Sequence, residues 1–423
     1  MSASETSSAS PAALAAQVQN FYERYPYPRP LETLESYRRR WADPQRRRAD
    51  FHLFWPGKTY RDDYSILVAG CGTSQAAKYA VRWPRAAITG IDFSATSVRH
   101  TMELKSKHKL DNLQVQQLAL EQVAELQLSF DLIVCTGVLH HLPDPDVGLA
   151  ALRAVLKPHG AMHLMVYAPY GRNGIYMLQE LCRRVGIHAT DGDIQSLVAA
   201  LRVLPPGHPL ERLLREAPDF RTEAALADAL LHPRDRAYSV PQLFEFLHGG
   251  GLRFHRWIRQ AAYSAHCGVL ARATQALHLV QLPEREQYAA AELFRGTLMR
   301  HSVIAVRDDD PGGWRADFSG SAWLDYVPIR TTDTLSVQER LPPGSAAVLI
   351  NRAHTCTDIY LPLSAREKRL FEAIDGKRTI GEMLQGQPEQ EAARSLFERL
   401  WWHDQVVFDA SREAVVMTSP AEN

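Results

Sequence analysis

Between residues 60 and 170, short apolar runs alternate with segments whose apolar positions recur every three or four residues. The runs Ser65–Ala69, Ala87–Asp92, Leu113–Leu118, Phe130–Cys135 and Ala161–Tyr167 have strand length. Gln75–Arg82, Ser94–Lys109 with Ser94 at its N-cap, and Asp146–Leu156 predict helices between them. Gly160 reads as a turn into the fifth run. Strands that alternate with helices predict an α/β, doubly wound Rossmann-like sheet covered on both faces.

Outside this block the pattern changes. Residues 1–14 open Ser/Ala-rich and are predicted disordered, although an Ala/Leu/Val alternation from Pro11 begins a helix. That helix runs into Phe21–Pro30, where four aromatics and three prolines predict a stiff, non-helical cap. Residues 173–233 read as a helical insertion. Pro241–His248 and Glu284–Met299 are further helices, with strands at Leu252–Gln260 and Ser302–Val306. The last strand follows a long connection and is predicted antiparallel. The acidic, Pro/Gly-bearing run Asp308–Gly313 predicts a linker, with 15–308 as the large domain, 309–313 as the joint and 314–423 beyond it. In that tail Trp323–Arg330, Ala346–Asn351 and Gln405–Phe408 read as extended. Ser364–Ala373 and Glu389–Trp401 read as helices, with short helical turns around Asp375–Ile380, so the expectation is a small α+β winged-helix-like domain.

Composition narrows the function classes. Lysine plus arginine equals aspartate plus glutamate at 48 each, so no net field draws nucleic acid or an anionic membrane. The five cysteines are odd in number and form no C-x-x-C pair, which predicts a reducing cytoplasm rather than a disulfide or zinc framework. No run has membrane-spanning length, and the N-terminus lacks the apolar core of a secretion signal. Arg38–Arg40 and Arg46–Arg48 read as a solvated face in preference to an anion site. His140 and His141 are adjacent and poorly placed to chelate together, so no metal is predicted.

The chemistry lies where the apolar runs stop. Ser65–Ala69 ends in Gly70-Cys71-Gly72-Thr73-Ser74, a turn whose glycines allow close backbone approach and whose following helix offers free N–H groups to an anionic group. Twenty residues after Gly72, the second run ends in Asp92, where a doubly wound fold puts its ribose-binding acid. A nicotinamide dinucleotide fingerprint needs a third glycine where this chain has Gln75. Phe130–Cys135 leads into Thr136-Gly137-Val138-Leu139-His140-His141-Leu142-Pro143-Asp144-Pro145.

From Tyr64 to Ala168, these glycines, acid and Phe-Asp and Leu-His-His-Leu-Pro segments resemble class I S-adenosylmethionine-dependent methyltransferases. The resemblance implies a seven-stranded sheet completed by an antiparallel last strand, and S-adenosylmethionine as cofactor. It implies that Gly70, Cys71, Gly72, Thr73 and Thr136 border the cofactor, that Asp92 binds the ribose, and that Phe93 packs on the adenine. By the same resemblance Glu121 or Gln122 meets the adenine amino group. An N-terminal tyrosine, Tyr22 or Tyr25, would hold the methionine end, and the aromatic-proline cap is either a lid or a staple to the core. Strand ends in an open sheet converge on one cleft, so His140, His141, Tyr167, Tyr170 and Arg172 are the candidate acceptor-side residues. Methyl transfer gains most from holding two reactants together. An acceptor that must lose a proton could give it to His140 or His141, unless both are structural.

The acceptor expected is a peptide, protein or bulky metabolite, chosen by the helical insertion. Two alternatives stand beside the enzyme: an inactive cofactor-fold scaffold serving as a docking subunit, and a C-terminal module that binds nucleic acid or a peptide with the large domain as its scaffold; the insertion and module could also build a homodimer interface.

Overall fold

The computed structural model describes residues 11–25, 28–211, 214, 222–310, 315–385 and 390–411. The chain divides into two compact units: one of residues 1–37, 63–254 and 296–309, the other of 38–62, 255–295 and 310–423. One cut thus falls at the acidic run expected to be a linker, and two earlier segments join the second unit. Pro311–Gly313 of that run, and the Ser-rich residues 1–10, lie outside the described residues.

The first unit opens with α1 (Pro11–Arg24) and continues, after α2 (Glu35–Trp41) and α3 (Pro44–Phe54), with β1 (Ser65–Ala69), α4 (Gln75–Arg82) and β2 (Ala87–Asp92). Then come α5 (Ala95–His108), β3 (Leu113–Gln117), β4 (Phe130–Thr136), α6 (Pro145–Ala154) and β5 (Leu156–Tyr167). The insertion holds α7 (Asn173–Val185), α8 (Asp191–Leu201) and α9 (Glu223–Leu231), followed by α10 (Val240–Gly249), β6 (Leu252–Trp257) and β7 (Arg300–Arg307).

Seven strands form one sheet in the order β3-β2-β1-β4-β5-β7-β6. Strands β1 to β5 pair in parallel, and β7 runs antiparallel to β5 from Ala161↔Val306 to Tyr167↔Arg300. Ile66 to Ala69 and Leu132 to Cys135 are buried completely, which is why these strands read as continuous apolar runs rather than alternating ones. The strand order reverses between β1 and β4, so their carboxyl ends open a crevice.

Two local expectations are corrected. Phe21–Arg24 belong to α1 and are helical, because the residue restricted by Pro26 is its immediate neighbour Tyr25 and not the turn before it. Gly160 makes no turn: β5 runs from Leu156 through Tyr167, with a register shift against β4 between Phe130 and Leu132. A Cβ at Gly160 would stand 3.0 Å from the Asp131 carbonyl oxygen, so the glycine serves a close strand-to-strand approach at a bulge.

In the second unit α3 packs Ala49 against Ile329 and Val407. Arg38–Arg40 are exposed, as expected of a solvated face, whereas Arg46–Arg48 are partly buried. Arg40 and Arg46 pair with Asp333 at 2.9 and 3.4 Å, and Arg48 pairs with Asp409 at 2.7 Å and donates to the Gly376 carbonyl. Their carboxylates lie nearly three hundred residues further on or more, where charge counting along the chain cannot see them.

Two small antiparallel sheets complete this unit. Val327–Arg330 (β8) pairs with Val406–Asp409, and Thr334–Val337 (β9), Ala347–Asn351 (β10) and Leu361–Leu363 (β11) form the other. Trp323–Arg330 is not one extended piece, since Ala322–Asp325 is a 3-10 turn. Helices Ala365–Glu372, Ile380–Met383 and Gln390–Trp402 lie between β11 and the last strand. Asp404, in the left-handed region at φ 54°, is buried and accepts from His354 Nε2 at 3.0 Å, Arg256 Nη2 at 3.3 Å and the Ala261 amide at 3.1 Å. Among the described residues no helix is long and apolar enough to cross a membrane.

Candidate active site

The loop after β1 turns through two left-handed glycines, Gly70 at φ 66° and Gly72 at φ 53°. A Cβ on Gly70 would come within 2.3 Å of Val138 Cγ2, so both conformation and space demand glycine there. Cys71 N donates to the Ile91 carbonyl at 2.9 Å, tying the loop to the end of β2. Asp92 is buried and accepts from Gly72 N at 2.8 Å through Oδ2 and from Ser94 N at 3.0 Å through Oδ1. Burial pushes its carboxyl up to about 6, with the two amides pulling the other way.

Each carboxylate oxygen retains lone-pair capacity at the end of a parallel strand, which suits a diol. Ser74 caps α4, and its Oγ is buried with no hydrogen-bond partner among the described residues. Gln75 Nε2 donates to Thr136 Oγ1 at 2.7 Å, joining the helix to the end of β4. The glycine cradle, the acid and this helix start fit a ribose-bearing ligand whose far end reaches the β1 loop.

Helix α1 is fastened to these same elements. Glu23 accepts from the Ala95 and Thr96 amides at 2.6 and 3.1 Å, adding a carboxylate to the α5 N-terminus that Ser94 already caps. Gln19 Nε2 donates to the Phe93 carbonyl at 3.0 Å, and Thr73 Oγ1 donates to Pro28 O at 2.7 Å. The Phe93 ring stands 6.2 Å from that of Tyr22. Glu121 and Gln122 lie exposed on the 3-10 turn Leu120–Leu126 after β3.

At the ends of β4 and β5 a second set of side chains is packed. His140 and His141, on the 3-10 turn Leu139–His141, are buried with ring centroids 4.2 Å apart, and His140 lies 4.0 Å from Tyr167. His232 stacks on His141 at 3.9 Å and lies 5.5 Å from Tyr22. Tyr22 Oη donates to Asp228 Oδ1 at 3.0 Å. Burial, followed by the Asp228 charge, drives the Tyr22 phenol well above its ordinary value; burial also raises Asp228. His140 and His232 are driven well below theirs by burial and then by the neighbouring His141, so both are neutral.

The predicted site residues therefore separate. Tyr22, His140, His141 and Tyr167 gather in this cluster. Arg172 reaches it without being available to a ligand: its guanidinium lies 3.5 Å over the Tyr167 ring, pairs with Asp235 at 2.8 Å and donates to Tyr176 Oη. Asp235 is thus the partner that holds Arg172 in place. Tyr170 is 42% exposed. Tyr25 turns its hydroxyl to Asp191 and the Ala189 carbonyl at the start of α8, a staple to the insertion rather than a cofactor contact. Cys71 and Cys135 are buried thiols whose ionisation burial suppresses, Cys135 to about 12.

Sequence reasoning missed Glu23, Asp228 and His232. A lone carboxylate within the otherwise apolar stretch Ala224–Leu231 was the available signal for Asp228. Nothing local marked the other two.

A parallel Rossmann-like sheet ending in an antiparallel seventh strand, with a glycine turn facing an acid across β1 and β2, defines the class I methyltransferase architecture. Residues 67–162 match the family model described as a methyltransferase domain. An uncharacterized protein from Synechococcus is 35% identical over 258 residues, 58% of this chain and 60% of that relative. A ubiquinone biosynthesis O-methyltransferase from Albidiferax ferrireducens is 33% identical over 96 residues, 22% of this chain and 38% of the relative. A trans-aconitate 2-methyltransferase from Deinococcus radiodurans is 36% identical over 120 residues, 28% of this chain and 43% of the relative.

The solved structure of PKMT2 from Rickettsia typhi shares the fold with a TM-score of 0.60 at 15% identity, covering 87% of this chain and 75% of that one. The same protein in complex with AdoHcy gives a TM-score of 0.56. Over residues 67–162 the chain is thus similar to methyltransferase domains, and its sheet has the methyltransferase fold. It spans about 60% of the first of these curated relatives and less than half of the other two.

Proposed function

We propose that the chain transfers the methyl group of S-adenosylmethionine to an acceptor seated against the His140, His141, His232, Tyr22 and Tyr167 cluster. One observation carries this reading. The Gly70–Gly72 turn with Asp92 and the buried imidazole cluster lie at the carboxyl ends of adjacent strands, and Tyr22 touches both through Phe93 and Asp228. The bound cofactor supplies an electrophilic methyl on a sulfonium centre. In this reading Gly70, Cys71, Gly72, Thr73 and Thr136 line it, Asp92 takes its ribose, Phe93 its adenine, and Glu121 or Gln122 its amino edge.

His141 is the proton acceptor, because its Nδ1–H donates to the Arg234 carbonyl at 2.7 Å and leaves the Nε2 lone pair for the acceptor's proton. Asp228 lies close enough for mutual attraction with the imidazolium that results. Tyr22 and α1 exclude water from the reactants.

The relatives' names, one for ubiquinone biosynthesis and one for trans-aconitate, point to different chemistry. Their similarity to this chain covers less than a third of it, so neither acceptor is carried over. The five unpaired cysteines fit a reducing compartment, and we place the protein in the cytoplasm.

Calorimetric titration of S-adenosylmethionine and S-adenosylhomocysteine into the wild type and Asp92→Ala tests the reading. Loss of the ribose contacts should cost about 1.5–3 kcal/mol of affinity, roughly tenfold or more. A folded wild type that binds neither ligand would refute the enzyme and leave a scaffold.

A further inference from the structure

His141 and His232 are held by one residue. The Arg234 carbonyl accepts from His141 Nδ1 at 2.7 Å, and the Arg234 amide donates to His232 Nδ1 at 3.0 Å. A carbonyl can only accept and an amide N–H can only donate, so the two rings hold protons on different atoms: His141 on Nδ1, and neutral His232 on Nε2. The ring centroids lie 3.9 Å apart at an interplanar angle of 37°, so the two imidazoles border one another directly. His232 Nε2 is buried with no partner among the described residues, an N–H donor that the protein leaves unsatisfied. Its neighbours within the cluster, Tyr22 and Asp228, bond to each other instead.

We propose that His232 is a specificity-determining residue, and that it and His141 together select a hydroxyl oxygen as the atom methylated. This rests on the methyl-transfer reading above. An alcohol or phenol oxygen has one proton and two lone pairs. The proton goes to His141 Nε2, one lone pair accepts from His232 Nε2–H, and the other attacks the methyl carbon while the C–S electron pair passes to sulfur. The products are a methyl ether, the thioether and a protonated His141. A neutral amine nitrogen has one lone pair, which the methyl consumes. Choosing it would leave the His232 N–H buried and unpaired, a penalty of about tenfold to a hundredfold in rate. The histidine pair therefore discriminates by counting lone pairs.

Two measurements on the full chain decide the matter. In ¹⁵N correlation spectra of the histidine-labelled protein with S-adenosylhomocysteine bound, His141 should be protonated at Nδ1 and His232 at Nε2, assigned through His141→Gln and His232→Gln. The same tautomer at both positions overturns the proposal. Incubation of a cell extract with ¹³C-methyl-labelled S-adenosylmethionine should then place the label in O–CH3 groups. His232→Phe should slow that transfer about tenfold or more, with S-adenosylhomocysteine affinity held within about twofold. His232→Gln, which keeps an N–H donor, should restore most of the rate. Label on nitrogen overturns this inference alone. No transfer by a chain that binds S-adenosylhomocysteine overturns it together with the methyl-transfer reading.

Discussion

Asp92 concentrates the residue-scale physics of the cofactor crevice. Its carboxyl is raised to about 6 from an ordinary 3.8, chiefly by burial, so the ionised form that ligand binding needs is present only above that value. S-adenosylhomocysteine affinity should fall as pH drops through about 6, and Asp92→Asn should flatten the profile, both read by calorimetry. Stability moves in the opposite direction. A carboxyl whose folded-state value is raised stabilises the fold fully below its unfolded value, and that contribution fades as pH climbs through about 6. Its place at the end of the second strand was legible from the apolar run before it, whereas its protonation behaviour depends on atoms from Gly72 and Ser94 that only folding brings near.

Glu23 extends the same logic to the N-terminal helix. Glu23→Gln keeps the shape and removes the charge at the α5 N-terminus, which should cost about 0.5–1 kcal/mol in thermal unfolding and weaken cofactor binding if α1 acts as a lid.

Elements explain the places where pattern reading failed. Gly160 signalled a break in local sequence and proved to be a bulge within β5, because the reason for the glycine is the Asp131 carbonyl of the neighbouring strand. Gly160→Ala should destabilise the sheet by about 1–3 kcal/mol through forced shifts, measured by denaturant unfolding. Helix α1 ran four residues further than its aromatic and proline content suggested. The prediction spread a restriction that belongs to the residue before proline over a whole segment. In the second unit, Asp404 ties three chain segments together at a left-handed turn between the last helix and the last strand. Asp404→Ala strands buried Arg256 and His354 and should cost about 3–5 kcal/mol, visible as a lowered Tm.

At the scale of the molecule, the second unit is assembled from three stretches of chain. Arg40, Arg46, Arg48 and Arg256 give it the partners of Asp333, Asp404 and Asp409. A fragment beginning at residue 310 lacks all four arginines and the α3 face that covers Ile329 and Val407. On heating, the full chain should show a cooperative tryptophan-fluorescence transition and the fragment should lack it.

The sequence alone determined the parallel sheet, its crossover helices, the glycine turn, the carboxylate at the end of the second strand and the antiparallel last strand. Each of these is written in local periodicity or in short-range spacing, and burial on both faces stamps continuous apolar runs onto the central strands. Tertiary structure alone decided which charges meet and which imidazoles stack. It spent Arg172 on Asp235, turned Tyr25 toward the insertion, and brought His232 from ninety-one residues away onto His141. Such pairings depend on distances between atoms far apart in the chain, and a one-dimensional pattern carries no record of them. Backbone groups of a single residue, Arg234, then fixed which nitrogen of each ring holds the proton.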